Sequence, residues 1–444
     1  MSTAQRYGDL ELRFTTDLFN MWGNPDNGLP QNAWTVNKAK DGALSSGHKI
    51  GPIKHSGQAG ILQLRDLSAD KTLLRPPVRW ERIAELPSGD PYRWAVWRPI
   101  APNGYAALGD TVFRFDVSPE QYPDYSRETA CVKKTHNGRS YVREGEFGHT
   151  LVEHGSLRLV SVVVPPYPDG DLEEHLYLNC GNFTAVTAPG IPAPTPTTWV
   201  LDLPAVIEKR DGPEIPVMTS HDRPPVQTAV TDRTVTVPYF LVDDQGRPEP
   251  WKVENSPFYK IRRKRHYELI IHRDNRNGSE PQPELESVTS GVSAESSEEF
   301  SQSTGITVAM EVGVEAGSKP FGTGAPTAAR TSVSATVELG YDRRTGVAAM
   351  REETKTRGLT VPPHSSACLW MEHHEIVPVR ANGETLGPRA TLGFNTDHYV
   401  TGQYPSDAGA TYLEEAIDGA RTTKAAHNLP PGTPKAQPTA VNTE

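Results

Sequence analysis

Cysteine, methionine and long apolar runs are all scarce in this chain of 444 residues. The three cysteines, Cys131, Cys180 and Cys368, are too few for a disulfide framework. A single Cys131 to Cys180 bridge stays open, and free buried thiols are the main expectation. No apolar run approaches the ~20 residues of a transmembrane helix, since "LVSVVV" at 159–164 ends at two prolines. If the chain enters a membrane, it must do so as β-strands.

The pattern of a signal peptide and an excess of basic residues are also missing from this sequence. Residues 1–20, "MSTAQRYGDLELRFTTDLFN", contain no basic segment followed by an apolar one, so we expect no signal peptide. The formal net charge of -10 argues against nucleic acid as the main partner, because phosphate-binding surfaces are basic.

Proline and glycine are abundant, with 40 and 37 residues, which predicts an all-β, turn-rich protein. The length allows two or three domains. Residues 1–195 read as short strands that end at the Pro/Thr-rich stretch "APGIPAPTPTTW", a predicted domain boundary. Residues 200–404 have longer alternating segments, and 405–444 are predicted to contain one short helix, "TYLEEAIDGARTTKAA", and a disordered tail.

Two segments alternate between apolar and polar residues. In "GITVAMEVGVEAG", residues 305–317, the even positions from Ile306 onward are apolar; in "TSVSATVELGY", residues 331–341, the odd positions from Val333 onward are. Each arm is about 11 residues long, which is the length of a transmembrane β-strand. The glutamates lie on the opposite faces. The pattern predicts either a half-buried core hairpin or a membrane-inserting one.

A lone hairpin cannot enter lipid. It has two open edges, and each unpaired backbone group in hydrocarbon costs several kcal/mol. Burial of a few aliphatic side chains at ~1.5 to 3 kcal/mol each does not offset that cost. Insertion therefore requires a closed ring of several protomers.

Residues 286–370 resemble the aerolysin-type β-pore-forming toxins, specifically the epsilon-toxin and mosquitocidal-toxin branch. The shared order is a Ser/Thr-rich strand "SAESSEEFSQSTG", the first arm, a tip "SKPFGTG", the second arm and a charged return "REETKTRGLTV". Accordingly we expect 286–305 to form a long solvated strand. The resemblance implies an elongated antiparallel β pore-forming module, which oligomerises on a target membrane and releases the hairpin into a shared barrel.

The resemblance also assigns the two faces of the hairpin. Glu311, Glu315 and Glu338 would face the lumen, which predicts cation preference. The membrane-inserting, lipid-facing residues would be Ile306, Val308, Met310, Val312, Val314, Phe321, Val333, Val337 and Leu339.

A second resemblance lies in residues 92–112, "YRWAVWRPIAPNGYAALGDTV", which look like the W-R-P-x-x-P-x-G-Y-x-x-L-G-D signature of the vacuolar-protein-sorting-sixty-two family. It implies a β-prism-like N-terminal head that binds a receptor, glycan or lipid. The residues alone also allow a structural interpretation, with tryptophans in the core, glycines in turns and an ion pair between Arg98 and Asp110. The receptor-domain motif comprises Trp97, Arg98, Pro99, Gly104, Tyr105, Gly109 and Asp110.

Other clusters of charged residues and histidines are weaker indications of function. "MEHHEIV" joins His373, His374 and Glu375, and "GHTLVEHG" offers His149, Glu153 and His154, but neither has metal-ligand spacing. The basic run "KIRRKRH", residues 260–266, predicts a strand face that pairs with acidic neighbours or contacts anionic lipid headgroups. No nucleophile elbow, P-loop or dinucleotide motif occurs, so we expect no enzyme, no cofactor and no metal.

The leading hypothesis is a pore-forming toxin, with insects as the expected target. We expect it to stay in the cytoplasm of the producing cell until lysis or ingestion, and to act at the target-cell membrane. Its partners would be that membrane, an unknown receptor or glycan, and further copies of itself in a ring. Two alternatives stay open: a non-lytic lectin or lipid-binding β-protein, and an enzyme with an unrecognised site. We also expect the tail after Arg421 to be trimmed during activation.

Overall fold

The computed structural model describes residues 4–23, 34–39, 49–52, 60–86, 93–122, 129–154, 157–165, 175–179, 182–187, 196–307, 333–334, 352–415 and 421–424. In these residues the protein is all-β with two short helices, which confirms the predicted fold class.

The first half of the chain consists of short strands. They are β1 (Ala4–Tyr7), β2 (Leu10–Thr15), β3 (Leu18–Gly23), β4 (Trp34–Ala39), β5 (Lys49–Pro52), β6 (Ile61–Asp66), β7 (Leu74–Arg75), β8 (Arg79–Leu86), β9 (Trp94–Ile100), β10 (Tyr105–Ala107), β11 (Thr111–Arg114), β12 (Cys131–Lys133), β13 (Thr135–His136), β14 (Arg139–Ser140), β15 (Val142–Glu144), β16 (Glu146–His154), β17 (Leu157–Val163), β18 (His175–Leu178), β19 (Phe183–Thr187) and β20 (Trp199–Pro204). They pair antiparallel in small sheets of two or three strands.

Longer strands and both helices lie in the second half. The elements are β21 (Val206–Lys209), β22 (Val230–Pro238), α1 (Glu249–Asn255), β23 (Phe258–Asn275), β24 (Gln282–Ser290), α2 (Ala294–Thr304), β25 (Ile306–Thr307), β26 (Val333–Ser334), β27 (Glu353–Val361), β28 (Ser365–Val379), β29 (Leu392–Tyr404), β30 (Thr411–Glu415) and β31 (Arg421–Lys424).

Two sheets organise this half. The first, which we call the central sheet, has the order β21-β22-β23-β28-β29, and its long pair β23 and β28 runs from Lys260 opposite Val379 to Asn275 opposite Ser365. The second has the order β24-β27-β30-β31. Its apolar residues Leu359 and Val361 pack against Ile271 and Leu369 of the central sheet.

The predicted solvated strand over 286–305 is wrong in its second part, because residues 294–304 form α2. The Ser293 side chain caps the helix by accepting from the Ser296 N–H at 3.1 Å, and Gly305 ends it with a φ of +71°. The buried residues Ser297, Phe300 and Thr304 recur at helical spacing. Capping and this spacing outweigh the Ser/Thr composition.

The short helix predicted in "TYLEEAIDGARTTKAA" is also wrong for its described residues, which form strands β30 and β31. Strand β30 pairs with β27 in the register Gly358 opposite Leu413. An open strand edge presents unpaired N–H and C=O groups, and β30 satisfies them at the edge of β27. Tertiary pairing therefore overrides the local helix propensity.

One hydrophobic core joins the two halves of the chain. Tyr7 and Phe14 of the first half lie in the same cluster as Val235, Tyr239 and Phe258 of the second. The Phe14 ring meets the Tyr239 ring edge-on, with centroids 5.0 Å apart, and the Tyr7 hydroxyl donates to the Thr236 carbonyl at 3.1 Å. We call this cluster the shared core.

The strand pairing changes from the first half to the second between β20 and β21. Strand β20 still pairs with β15 and β18 of the first half, whereas β21 pairs with β22 of the second. Ala205 is the residue between β20 and β21. Cys131, in the first half, is a free buried thiol, and burial raises its pKa to about 12. Cys180 lies outside the described residues.

We expect Phe14→Ala to lower the free energy of unfolding by about 3–5 kcal/mol, because it empties an aromatic position in the shared core. Urea unfolding, followed by tryptophan fluorescence and by circular dichroism, measures the loss. Phe147→Ala is the matched control: Phe147 is exposed, and a surface change of this kind should cost less than ~1 kcal/mol. Equal losses in the two variants would contradict a shared core.

Candidate functional site

The first alternating arm begins directly after α2, and hydrogen bonds hold its first residue in place. The Thr304 hydroxyl donates to the Phe300 carbonyl at 2.7 Å and accepts from the Ile306 N–H at 3.1 Å. The Asp243 N–H donates to the Thr304 carbonyl at 2.7 Å. We call residues 304–306 the root of the arm.

Ile306 is fully buried in the shared core together with Phe300. This residue was predicted to face lipid, and in the structure it packs against protein. Two residues of the sequence could have indicated the helix that precedes the root: Ser293 is its N-cap and Gly305 is its C-cap. The Ser/Thr composition alone did not indicate this helix.

Most of the predicted inserting segment lies outside the described residues, and of Val333 only the backbone is described. The predicted residues outside them are Val308, Met310, Glu311, Val312, Val314, Glu315, Phe321, Val337, Glu338 and Leu339.

The one described contact between the two arms is parallel. Ile306 lies opposite Val333, and Thr307 lies opposite Ser334, in β25 and β26. The arms of a simple hairpin run antiparallel, so this contact differs from the predicted arrangement. A parallel pair needs a crossover of about a dozen residues or more, and segment 308–332 is long enough to supply it.

The receptor-domain motif has structural roles in every described contact. The Arg98 guanidinium makes two hydrogen bonds to the Asp110 carboxylate, at 2.9 and 2.8 Å, and a third to the Ala185 carbonyl at 2.7 Å. Trp97 is buried and its indole N–H donates to the Arg114 carbonyl, while Gly104 has a φ of +81° in a turn. The Tyr105 hydroxyl donates to the Thr72 carbonyl. These contacts confirm the predicted ion pair.

Two further motif residues owe their positions to close packing. A Cβ at Gly109 would lie 2.7 Å from the Asn182 side chain, so the chain approaches too closely there for any other residue. Pro99 lies in β9 opposite Trp80. The described contacts of the motif therefore hold strands of the first half together, and its predicted binding role stays a prediction.

The basic run 260–266 pairs with acidic side chains, as one of its two interpretations predicts. Asp232 accepts from Arg263 at 2.6 Å and from Arg265 at 2.9 Å, and Arg265 also binds Glu372. Lys260 lies 3.0 Å from Glu208, and Lys264 lies 3.7 Å from Glu375. The run is therefore largely neutralised within the central sheet.

Glu372 sits at the centre of a buried charge network that the sequence did not indicate. Its carboxylate accepts from Arg265 Nε at 2.7 Å and lies 3.2 Å from His398 Nδ1 and 3.5 Å from His374 Nε2. Burial raises the pKa of Glu372, but the hydrogen bonds from His374 and His398 and the charge of Arg265 hold it well below its usual range. Burial lowers the pKa of His374.

The histidine clusters do not form a metal centre in the part of the chain that is described, where no three His, Cys, Asp or Glu side chains are placed to hold an ion. The His373 ring packs against the His266 ring at a tilt of 52°, with centroids 4.9 Å apart, and its Nδ1 lies 2.6 Å from Asn395 Oδ1. His149 lies 3.3 Å from the Ser161 hydroxyl. Within the same residues, no helix is both long enough and apolar enough to cross a membrane.

Comparison with known proteins gives one family. Residues 231–362 match the model of the family described as insecticidal crystal toxin, P42. The matched segment begins in β22 and ends one residue after β27, so it contains both alternating arms. This match supports the class of insecticidal β-toxin. It does not reach the predicted β-prism-like head.

The solved structures that are similar to the chain include GNIP1Aa and Cry35Ab1. GNIP1Aa from Chromobacterium piscinae is 19% identical, with a TM-score of 0.29, over 41% of this chain and 34% of that chain. The match therefore spans about a third of that protein. Cry35Ab1 is 9% identical, with a TM-score of 0.33, over 90% of this chain and 91% of that chain. No curated protein matches the sequence.

The Glu372 network predicts acid lability. A carboxylate whose folded pKa is depressed stabilises the fold above its unfolded pKa, and that contribution is lost as the pH falls below about 4.5 towards the folded value. At pH 7 we expect Glu372→Gln to cost about 3 kcal/mol, because Arg265 loses a buried partner. The difference in the free energy of unfolding between the parent and Glu372→Gln, measured by urea unfolding, should become smaller as the pH falls to 3.

The control for this prediction is Glu208→Gln, which removes the exposed pair with Lys260. That pair should contribute less than ~1 kcal/mol at any pH. A gap for Glu372→Gln that is constant from pH 7 to pH 3 would contradict the assignment of a depressed pKa.

Proposed function

We propose that this protein is an insecticidal pore-forming toxin whose protomers form a ring on a target-cell membrane and insert residues 305–341 as a β-hairpin. The proposal is supported by the family match, which spans both arms. It assigns the chain no catalytic role. The producing cell would retain the protein in its cytoplasm until release, and an unknown receptor or glycan would recruit it.

The observation that carries the proposal is the register of β24 and β27, the strands that flank the inserting segment. They pair antiparallel without interruption from Gln282 opposite Val361 to Ser290 opposite Glu353. If this register continued along the chain, Ile306 would lie opposite Val337, and Met310 would lie opposite Val333. The apolar faces of both arms would then coincide.

The same extension places the turn and the glutamates. The turn would fall at Phe321, in the middle of the tip "SKPFGTG". The lipid face would continue the side of β24 and β27 that carries the buried residues Val288 and Leu359. Glu311 and Glu315 would continue the side of the exposed Leu285, which becomes the lumen.

This rearrangement has two structural requirements. Helix α2 must unwind, because it interrupts the strand between Ser290 and Ile306. The parallel contact of Ile306 with Val333 must also break, because the extended register places Val337 opposite Ile306 instead. The proposed activation is therefore a helix-to-strand change that withdraws Ile306 from the shared core.

Single charges on the lipid face should abolish insertion. We expect Val312→Asp and Val337→Asp to remove dye release from liposomes made of target-membrane lipid, because a charge facing hydrocarbon costs up to ~2 to 4 kcal/mol in every protomer of the ring. Thr336→Asp, on the predicted lumen face, is the matched control and should leak like the parent. Leakage by both valine variants at the parental rate would exclude the hairpin and favour a non-lytic lectin or lipid-binding protein.

A disulfide at the root tests the unwinding step. An ideal Cβ at Gly305 lies 3.4 Å from the Asp243 Cβ, close to the spacing in disulfides, so Gly305→Cys with Asp243→Cys should cross-link. We expect the oxidised protein to be inactive in dye release and the reduced protein to recover leakage. Gly305→Cys alone controls for the strain of a side chain at positive φ. Equal leakage with and without reductant in the cross-linked protein would rule out withdrawal of the root.

A further inference from the structure

Residues 211–229 join β21 to β22 in the central sheet and form neither helix nor strand. We call this segment the strap. Proline has a fixed φ and lacks an N–H, so it favours an extended chain outside helices and sheets. The prolines of the strap are Pro213, Pro216, Pro224 and Pro225. Its sequence therefore favours an extended connection.

Side-chain contacts hold the strap against one face of the central sheet. Met218 packs in the same cluster as Trp370 of β28, which is only 2% exposed. Farther along the strap, His221 Nδ1 lies 3.0 Å from the Ser366 hydroxyl at the beginning of β28. The strap thus covers part of this face with its inner side chains.

The backbone of the strap is open. Within the described part of the chain, no hydrogen bond joins a backbone group of the strap to another backbone group. Side chains make its polar contacts, as where the Gln227 amide donates to the Glu214 carbonyl at 2.7 Å. Residues 215–219 and 223–226 contain no Gly, and their N–H and C=O groups stay free to bind an incoming chain.

Two valines project from this open backbone into solvent. Val217 is 68% exposed and Val226 is 93% exposed, and each follows a proline. A chain that is bound as an added strand uses its backbone hydrogen bonds for affinity and its side chains for specificity. Serine proteases select the side chain before the cleaved bond with a pocket, which is small in elastase-type enzymes. The strap offers both a free backbone and a small apolar side chain.

Another Pro-Val pair, Pro77-Val78, has the exposed side chain without the open backbone. Val78 is 62% exposed, and its N–H donates to the Ile100 carbonyl at 2.9 Å. Strand β8 begins at the next residue, Arg79, which pairs with Ile100 of β9. A protease would have to separate these strands before it could bind the chain there.

We propose that the strap is a processing site for a serine protease with a small apolar specificity pocket, which cleaves after Val217 and after Val226. Each cut hydrolyses one peptide bond and consumes one water: the valine gains a carboxylate, and the residue after it gains an ammonium group. The two cuts together release the peptide 218–226. This site is distinct from the predicted trimming after Arg421.

Release of this peptide would uncover part of the central sheet. The peptide carries Met218 and His221, the residues that contact Trp370 and Ser366. The buried indole of Trp370 would therefore lose an apolar neighbour and become accessible to solvent. No residue of the arms or the root lies in the strap, so the inference does not rest on pore formation.

The experiment is limited proteolysis of the full chain with pancreatic elastase. Peptide mass spectrometry measures the initial rates at which new N-termini appear at Met218 and Gln227, and an N-terminus at Arg79 reports cleavage after Val78. Synthetic peptides of the three sequences correct for sequence preference. After this correction we expect the strap to be cut at least about tenfold faster than the bond after Val78, because no backbone hydrogen bond has to break.

Two exposed substitutions test the specificity. Val217→Glu and Val226→Glu should each remove the cut at their own position, because a charged side chain does not fit a small apolar pocket. Val226→Ala is the matched control and should still be cut. Since these side chains are exposed, the fold should persist in all three variants.

The cleaved protein, passed through a size-exclusion column without denaturant, should lack the peptide 218–226. Corrected rates in the strap that are no higher than the rate after Val78, or unchanged cutting of the glutamate variants, would overturn the processing site. Retention of the peptide would overturn the uncovering of Trp370. Dye release does not enter this measurement, so its outcome is separate from that of pore formation.

Discussion

The antiparallel pairing of β23 with β28 is the constraint on which the second half depends. This register sets which side chains meet across the central sheet, including the network of Arg265 with Glu372. At one end it delivers Phe258 to the shared core, and at the other it delivers Asn275 to the turn. One face packs against the sheet of β24 and β27, the strands from which the alternating arms leave. The backbone hydrogen bonds between β23 and β28 therefore fix the positions of residues at both ends of the central sheet.

Much of this architecture was accessible from the sequence. Abundant proline and glycine predicted the all-β class, and the basic run 260–266 predicted a strand that pairs with acidic neighbours. The ion pair of Arg98 with Asp110 was also predicted, since opposite charges a short turn apart on neighbouring strands can meet. These features depend on composition and on residues that are close together in the sequence, so a single sequence is enough to predict them.

The features that the sequence did not indicate depend on distant partners. Residues 294–304 have a strand-like Ser/Thr composition, and burial of Phe300 in a core built from both halves selects the helix. The open edge of β27 selects a strand for Thr411–Glu415 in the same way. The Asn275 amide donates to three carbonyls from two segments that are distant in sequence, so the pattern around Asn275 alone did not indicate it.

Burial of Ile306 in the shared core links two parts of the chain thermodynamically. The side chain that begins the first arm packs in the same cluster as Tyr7 and Phe14. Its withdrawal must therefore weaken the packing that joins the two halves, and any ligand that loosens their junction must lower the free energy needed to free the arm. By reciprocity, a protein that holds its arm firmly must also hold its halves together. Binding of a ligand at the junction of the two halves and release of the arm would then be coupled through the same free energy.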